Sequence, residues 1–453
     1  MKRNQVISLL KQARLDIEVA PVEMAAEPAA YRNKVIVDFV KDKDKHVRAG
    51  LYAAKSHKVI PVSSCAMHPQ TVNEIINEIA HLIESMKIQL WNNKNQTGLL
   101  RHVLIRWGAK TNQIMIVFIT GRKEFPSRRN LVNALREKFP QITTICQSVT
   151  ERDTSVVLEN EVIPLYGDGF IEDILCGLKI SFSAESFYQI NHDQCEKLYA
   201  LAKEKLDLNE NDTVLDTYCG VGTIGLYLAD SCKKVTGVEI NEAAVKNARY
   251  NARANDINNI SFIAMDSTQY MKEAQKVHYH YDAIVLDPPR AGTTGAFISA
   301  ACSLTPKKIC YISCDPKTQI RDLMEFKKHG YTTKTMTLVD MFPHTDHVET
   351  VAVLSRKSAT KTFIPVTVSP KDMGLDEAKA QPTYENIRRY VKETHGLTVS
   401  TLNIAQMKAE CGLEMECDRS GGKQQPKCPP EKREAILDAF RHFGMIEDGT
   451  LEE

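Results

Sequence analysis

The sequence predicts an α/β protein organised around a doubly wound parallel sheet, with an α+β domain before it and a small helical extension after it. Three observations carry this prediction. From Ser186 to about residue 357, short apolar runs alternate with helix-spaced segments, the pattern of strands joined by crossover helices. Between Tyr31 and residue 185 the helices are instead mixed with closely spaced, hairpin-like strands. After residue 357 the chain turns polar, then shows three helix-like stretches. The expected divisions are 1–30, an N-terminal helix and linker; 31–185, a central α+β domain; 186–357, the doubly wound domain; and 358–453, a linker and helical extension.

Composition narrows the class of function. The 453 residues are enough for two or three domains, and 43% hydrophobic with 25% charged residues is ordinary globular chemistry. A net charge of +1 excludes a global polyelectrolyte, so any nucleic-acid surface has to be a local patch. The N-terminus, MKRNQVISLLKQARLD, is mixed and charged, and no long apolar run follows. A cytoplasmic chain with reduced thiols, no membrane partner and a monomeric state is expected. The 12 cysteines lack paired spacing, and Cys411, Cys417 and Cys428 fit no zinc template, so no metal is assigned.

Taken in order, Val6, Ile7, Leu9 and Leu10 make one helical stripe behind Asn4, and PVEMAAEPAA reads as a linker. Residues 34–40, 49–54 and 58–62 suggest strands. Thr71–Met86 carries Val72, Ile75, Ile76, Ile79, Leu82 and Ile83 at helical spacing. Residues 99–107 and 113–120 suggest a hairpin, 127–139 a second helix, and 142–148 and 156–164 further strands. Two basic patches lie here, within 41–58 and 121–138. Single charge runs are usually solvated faces, but Ser127-Arg128-Arg129 opens a helix, where amides and guanidiniums can meet phosphate together.

In the doubly wound region, strand 214–218 runs into Cys219-Gly220-Val221-Gly222-Thr223-Ile224-Gly225, and the next strand ends in Glu239. This satisfies the dinucleotide pattern and equally suits S-adenosylmethionine (SAM), whose ribose hydroxyls would meet Glu239. Asp216, placed before the glycines for a cationic amino group, Asp266 ending the third strand (260–266), placed for an adenine amino group, and the loop Asp287-Pro288-Pro289-Arg290 favour SAM. A nicotinamide cofactor stays open on these residues alone.

The stretch 308–323, KICYISCDPKTQIRDL, then sets Cys314 where a buried strand meets Asp315-Pro316 and a helix start. Helix N-terminal amides favour thiolate, so a lowered pKa is expected for Cys314. Further on, Glu349 enters an otherwise apolar strand with Val348, Val351 and Val353, where burial would raise its pKa. A lone cysteine is more often a small buried hydrophobe. Here a thiol, a carboxylate base and Asp287 all fall at strand ends, where doubly wound folds hold ligands. Together they suit conjugate addition to uracil C6, which makes C5 nucleophilic, followed by loss of the C5 proton.

LDTYCGVGTIGL, VLDPPRAG, SCDPKTQIRDL and FPHTDHVETVAVL together resemble the bacterial RNA uracil-C5 methyltransferases, which make 5-methyluridine in rRNA and tRNA. The resemblance implies a Rossmann-like SAM-methyltransferase domain behind an RNA-binding domain. It makes Cys314 the nucleophile and Glu349 the base, and it matches Gln189, Tyr218, Glu239, Asp266 and Asp287 to SAM-binding positions. Residues 31–34 (YRNK) and 98–106 (GLLRHVLIR) resemble the RNA-facing domain. The expected target is 23S rRNA, with tRNA second and a nicotinamide oxidoreductase a remote alternative. Two departures stand out. The N-terminal β-barrel of many relatives is missing. Cys65 resembles one ligand of their four-iron cluster, yet residues 1–64 hold no Cys, so no iron-sulfur cluster is expected. The C-terminal tail is extra to the family core and resembles extensions of some Gram-positive relatives.

Overall fold

The computed structural model describes residues 1–52, 59–92, 95–150, 158, 162–356, 384–411, 413, 428–443 and 445–446. The chain divides into a unit of Met1–Met373 and a unit of Gly374–Glu453.

The larger unit begins with α1 (Lys2–Gln12), which buries Val6 and Leu10, and β1 (Glu18–Glu23). The central domain follows as β2 (Lys34–Lys41), β3 (Val47–Tyr52), β4 (Val59–Pro61), α2 (Gln70–Ser85), β5 (Leu100–Trp107), β6 (Ile114–Thr120), α3 (Arg128–Lys138), β7 (Ile142–Val149) and β8 (Val162–Tyr166). Its sheet runs β4-β3-β2-β5-β6-β7-β8. The pairs are antiparallel except β6 with β7, which α3 joins as a crossover. Both faces are covered. Ile75, Ile79 and Ile83 of α2 pack with Ile116 and Phe118 on one side, and Met115, Val117 and Ile119 join the core of the following domain on the other. This is why β6, IMIVFIT, is an unbroken apolar run with no alternation.

A hairpin, β9 (Phe170–Leu175) and β10 (Leu178–Ser183), leads into α4 (His192–Leu206). The doubly wound region then runs β11 (Thr213–Thr217), α5 (Thr223–Leu228), β12 (Lys234–Glu239), α6 (Glu242–Ala254), β13 (Ile260–Ala264), α7 (Ser267–Lys276), β14 (Ala283–Leu286), α8 (Gly295–Ser303), β15 (Lys308–Ser313), α9 (Pro316–Lys328), β16 (Tyr331–Thr332), β17 (Thr335–Val339) and β18 (Glu349–Arg356). The strand order is β1-β17-β18-β15-β14-β11-β12-β13, with β16 paired to β18. The reversal between β11 and β14 is the switch point at which such sheets open a crevice.

Three sequence expectations change. The linker reading at PVEMAAEPAA overlaps the end of β1, which begins at Glu18 and pairs in parallel with β17 at the sheet edge. Pro21 did not bar a strand, because an edge strand can leave one side of its ladder unpaired. The sheet is not wholly parallel: β18 runs antiparallel to both β15 and β17. A turn without a crossover helix joins β17 to β18, and such a connection reverses the strand. The last strand begins at Glu349, not His347. The hairpin β9–β10 and helix α4 were not anticipated.

In the smaller unit, α10 (Tyr384–His395), α11 (Thr401–Glu410) and α12 (Pro430–His442) close a core of Ile387, Val391, Ile404, Met407, Ile436 and Phe440. Ser400 and Asn403 cap α11 reciprocally. The polar stretch at 358–383 and residues 414–427, Cys417 among them, lie outside the described residues.

Candidate active site

The glycine turn is built around one buried carboxylate. Asp216, 1% exposed, accepts from the Gly225 amide at 2.9 Å, and a Cβ on Gly225 would lie 2.9 Å from that same carboxylate. Gly222 at φ +85° leaves no room for a side chain beside Phe262, whereas a Cβ at Gly220 would meet nothing within 4 Å. The turn is therefore packed from below and open above, a cradle for a ligand approaching the backbone. Burial pushes the Asp216 carboxyl up to about 8, and the charges of Asp287 and Glu239 add to the effect. A cationic ligand group would relieve that field.

Glu239 closes β12 and accepts from the amides of Gly220 (3.2 Å) and Asn241 (2.9 Å). Tyr218 sits at φ +59° with its ring stacked on Phe297, centroids 5.3 Å apart. Asp266 lies two residues past β13 as the exposed N-cap of α7, accepting from the Gln269 amide at 2.9 Å. Its cap explains its residue type without a ligand.

At the carboxyl edge, Asp287 follows β14 and receives a hydrogen bond from Gln189 Nε2 at 3.4 Å. Burial lifts its carboxyl to about 7, against the pull of that hydrogen bond. Gln189 comes from the segment before α4, which the central domain grips: Asn33 donates to the Gln189 carbonyl at 2.8 Å, and the buried Arg106 donates to the Ser186 carbonyl. Cys314 follows β15. Ser313 pairs with Thr350, so one further step along the antiparallel register sets Cys314 beside Glu349. The reversal of β18 thus gives Glu349 its place: the start of an antiparallel strand shares an edge with the ends of its parallel neighbours.

Glu349 is 2% exposed, and its Oε2 has no hydrogen-bond partner among the described residues. Burial, with the charge of Asp287 added, raises its carboxyl well above the ordinary range, against the Arg290 guanidinium. The expectation of a lowered Cys314 pKa is wrong: the thiol is pushed up to about 11, first by burial, then by Glu349 and Asp287, with Arg290 pulling the other way. The helix start is present, but the Lys317 amide there donates to the Asp315 carboxylate at 2.9 Å.

Several supporting residues escaped sequence reasoning. Asp322 accepts from the Thr293 amide (2.9 Å) and the Tyr311 hydroxyl (2.6 Å), and Arg321 donates to the carbonyls of Ala291 (2.9 Å) and Thr293 (3.1 Å). Together they fasten the 287–293 loop to α9. Thr350 donates to Gln319 Oε1 at 2.7 Å, and Gln319 Nε2 to the Tyr311 carbonyl at 2.9 Å, locking β18 to β15. The signal was a polar residue at an apolar helix position, which marks a buried partner. The patch within 41–58 is partly paired, with Arg48 on Asp42 and His46 on Glu84; residues 53–58 lie outside the described residues. Arg122, Lys123, Arg128 and Arg129 are exposed. Among the described residues no helix is long and apolar enough to cross a membrane.

Comparison with known proteins gives the family. RNA methyltransferases of Oceanobacillus iheyensis and Clostridium tetani, both described as uncharacterized, are similar to this chain. The first is 38% identical over 360 residues, 79% of this chain and 78% of that protein. The second is 38% identical over 348 residues, 77% of this chain and 75% of that protein. Among solved structures, the Pyrococcus abyssi tRNA (uracil-54, C5)-methyltransferase in complex with S-adenosyl-L-homocysteine superposes with a TM-score of 0.65 at 28% identity, covering 78% of this chain and 81% of that one. The family model for tRNA (uracil-5-)-methyltransferases matches residues 3–357, from the first helix to the end of the antiparallel strand that carries Glu349, and the chain belongs to that family.

Proposed function

We propose that this protein forms 5-methyluridine in RNA, with Cys314 as the nucleophile and Glu349 as the base. The observation that carries the reading is the buried Glu349 oxygen, without a hydrogen-bond partner among the described residues, at the head of an antiparallel strand whose Thr350 pairs with the Ser313 that precedes Cys314. A structural carboxylate would have found a partner. One left unpaired beside a thiol suits a proton acceptor whose donor arrives with the substrate.

SAM is the cofactor of this enzyme, and the residues fit it. The open face of Gly220, Glu239 at the end of β12 and the buried Asp216 form a turn that accepts a cationic, ribose-bearing ligand. When bound, SAM supplies the electrophilic methyl group. The chain's own residues do the rest. The Cys314 thiol gives its S–H proton to solvent, Sγ adds to C6 of the uracil, and the C5–C6 electron pair moves toward C4–O, so that C5 becomes the nucleophile. After C5 carries the methyl, Glu349 removes the C5 proton, the double bond re-forms and Cys314 is expelled. Gln189 and Asp287, joined by their hydrogen bond, are read as SAM-binding positions, with Asp287 also the carboxylate that contacts the pyrimidine.

The target is read as 23S rRNA, a choice resting on the sequence resemblance alone. A tRNA target is the second reading, favoured by the tRNA substrate of the Pyrococcus enzyme. Mapping 5-methyluridine in rRNA and tRNA from a deletion strain, then restoring it with purified protein and SAM, tests both. Loss confined to one RNA names the substrate, and an unchanged map refutes the reading.

A further inference from the structure

The loop at 340–348 leads directly into Glu349, and its backbone is held at four successive residues by partners from outside the strands that flank it. The Asp340 amide donates to the Glu23 carbonyl of β1 at 2.9 Å. The Met341 carbonyl accepts from Asn191 at 3.3 Å, the Phe342 carbonyl from Lys2 Nζ at 2.9 Å, and the Pro343 carbonyl from the Tyr31 hydroxyl at 3.1 Å. Lys2 also pairs with Asp340 at 2.6 Å, and the two side chains are 13% and 7% exposed. The N-terminal segment is itself anchored. Arg3 donates to the Val19 carbonyl, Gln194 to the Glu23 carbonyl at 2.8 Å, and Lys197 to the Met24 carbonyl at 2.9 Å.

We infer that the segment before Tyr31 is a brace for the base, with Lys2 a positioning residue that sets Glu349 by neutralising Asp340 and fixing the Phe342 carbonyl. The inference rests on Glu349 being the base. β18 is already paired on both sides, Glu349 with Val339 and Thr350 with Ser313, so what the grips on the loop add is the path by which residues 340–348 deliver the backbone to Glu349. Lys2 is the one cation among those four grips. A partly buried charge pair held by a second hydrogen bond is costly to break from one side, because the remaining carboxylate is left without its partner. No contact of Lys2 with the cofactor turn is needed: the effect travels through Asp340 and Phe342 to Glu349 and leaves the 214–239 region alone.

The test uses the full chain with its affinity tag at the C-terminus. Lys2→Met should lower kcat by roughly tenfold or more, the scale on which a small misplacement of a reacting group is felt. Its KM for SAM should stay near the parent value, and denaturant-resistant RNA–protein adduct should accumulate, because the step that needs Glu349 follows covalent addition. Lys2→Arg should restore most of kcat, and Lys2→Met combined with Asp340→Asn should restore part of it by removing the stranded charge. A lowered melting temperature with unchanged kcat and no adduct would overturn the inference. Glu349→Gln is the control. If it accumulates adduct and Lys2→Met does not, the brace is wrong. If Glu349→Gln itself accumulates none and turns over normally, the assignment of the base is wrong.

Discussion

The protonation state of Cys314 separates two accounts of its reactivity. With the thiol raised from 9.0 to about 11, the free protein at pH 8 holds roughly one thousandth of Cys314 as thiolate, about a hundredfold less than an ordinary thiol. The causes are burial and the carboxylates of Glu349 and Asp287. Alkylation by iodoacetamide, followed at the Cys314 peptide by mass spectrometry from about pH 7 to 12, should therefore climb about tenfold per pH unit up to about pH 10 and level off only above about 11. SAM should move the midpoint down by on the order of one unit, since its charges offset the carboxylates. S-adenosylhomocysteine, which lacks the sulfonium charge, should move it less. Comparing midpoints, not amplitudes, removes the effect of simple shielding. Asp287→Asn should lower the midpoint in the absence of any ligand. A plateau below pH 8 in the free protein would mean that the helix amides of α9 outweigh the carboxylates, and would refute the reasoning.

Three further predictions concern the same residues and the tail. Asp216 at about 8 and Asp287 at about 7 hold protons in the free protein below those values, so binding of cationic SAM must displace them. Affinity should rise as pH goes from 6 to 8.5, with proton release seen by calorimetry in buffers of different ionisation enthalpy; a flat profile contradicts it. The sign for stability is the reverse. Carboxyls raised above the ordinary 3.8 stabilise the free fold at low pH and lose that contribution progressively as pH climbs from there to about 7 to 8, so the thermal-shift gain from SAM should grow with pH over that range. The tail helices close their own core, and Arg388, Arg389 and Lys392 of α10 are exposed. A chain ending at residue 357 should keep SAM binding and cooperative unfolding but lose RNA affinity with a shallower salt dependence. Unchanged RNA binding with a lowered melting temperature would assign the tail a structural role.

What was legible in the sequence was whatever local spacing encodes. The stripe of α2 and the glycine turn came through because each is a pattern within a few residues. The elements that were missed depend on partners far away in the chain. β1 is a strand because β17 offers it an edge, and EVAPVE alone carries a proline and little alternation. The direction of β18 is set by the turn before it, and only that direction sets Glu349 beside Cys314. The Cys314 pKa failed for a related reason. A helix start is visible in sequence, but the summed charge of Glu349 and Asp287, from two other strands, is not. Lys2 gave no signal at all, since its partner Asp340 lies 338 residues away.

The central claim is that Cys314 forms a covalent bond to uracil before methylation. RNA carrying 5-fluorouridine tests it most directly, because fluorine stands where Glu349 needs a proton and the adduct cannot resolve. With SAM present, the parent protein should give a denaturant-resistant RNA–protein complex whose cross-linked peptide contains Cys314, and Cys314→Ala should give none. A Cys314→Ala protein that still forms the adduct, or a parent protein that methylates RNA and never traps, would contradict the account.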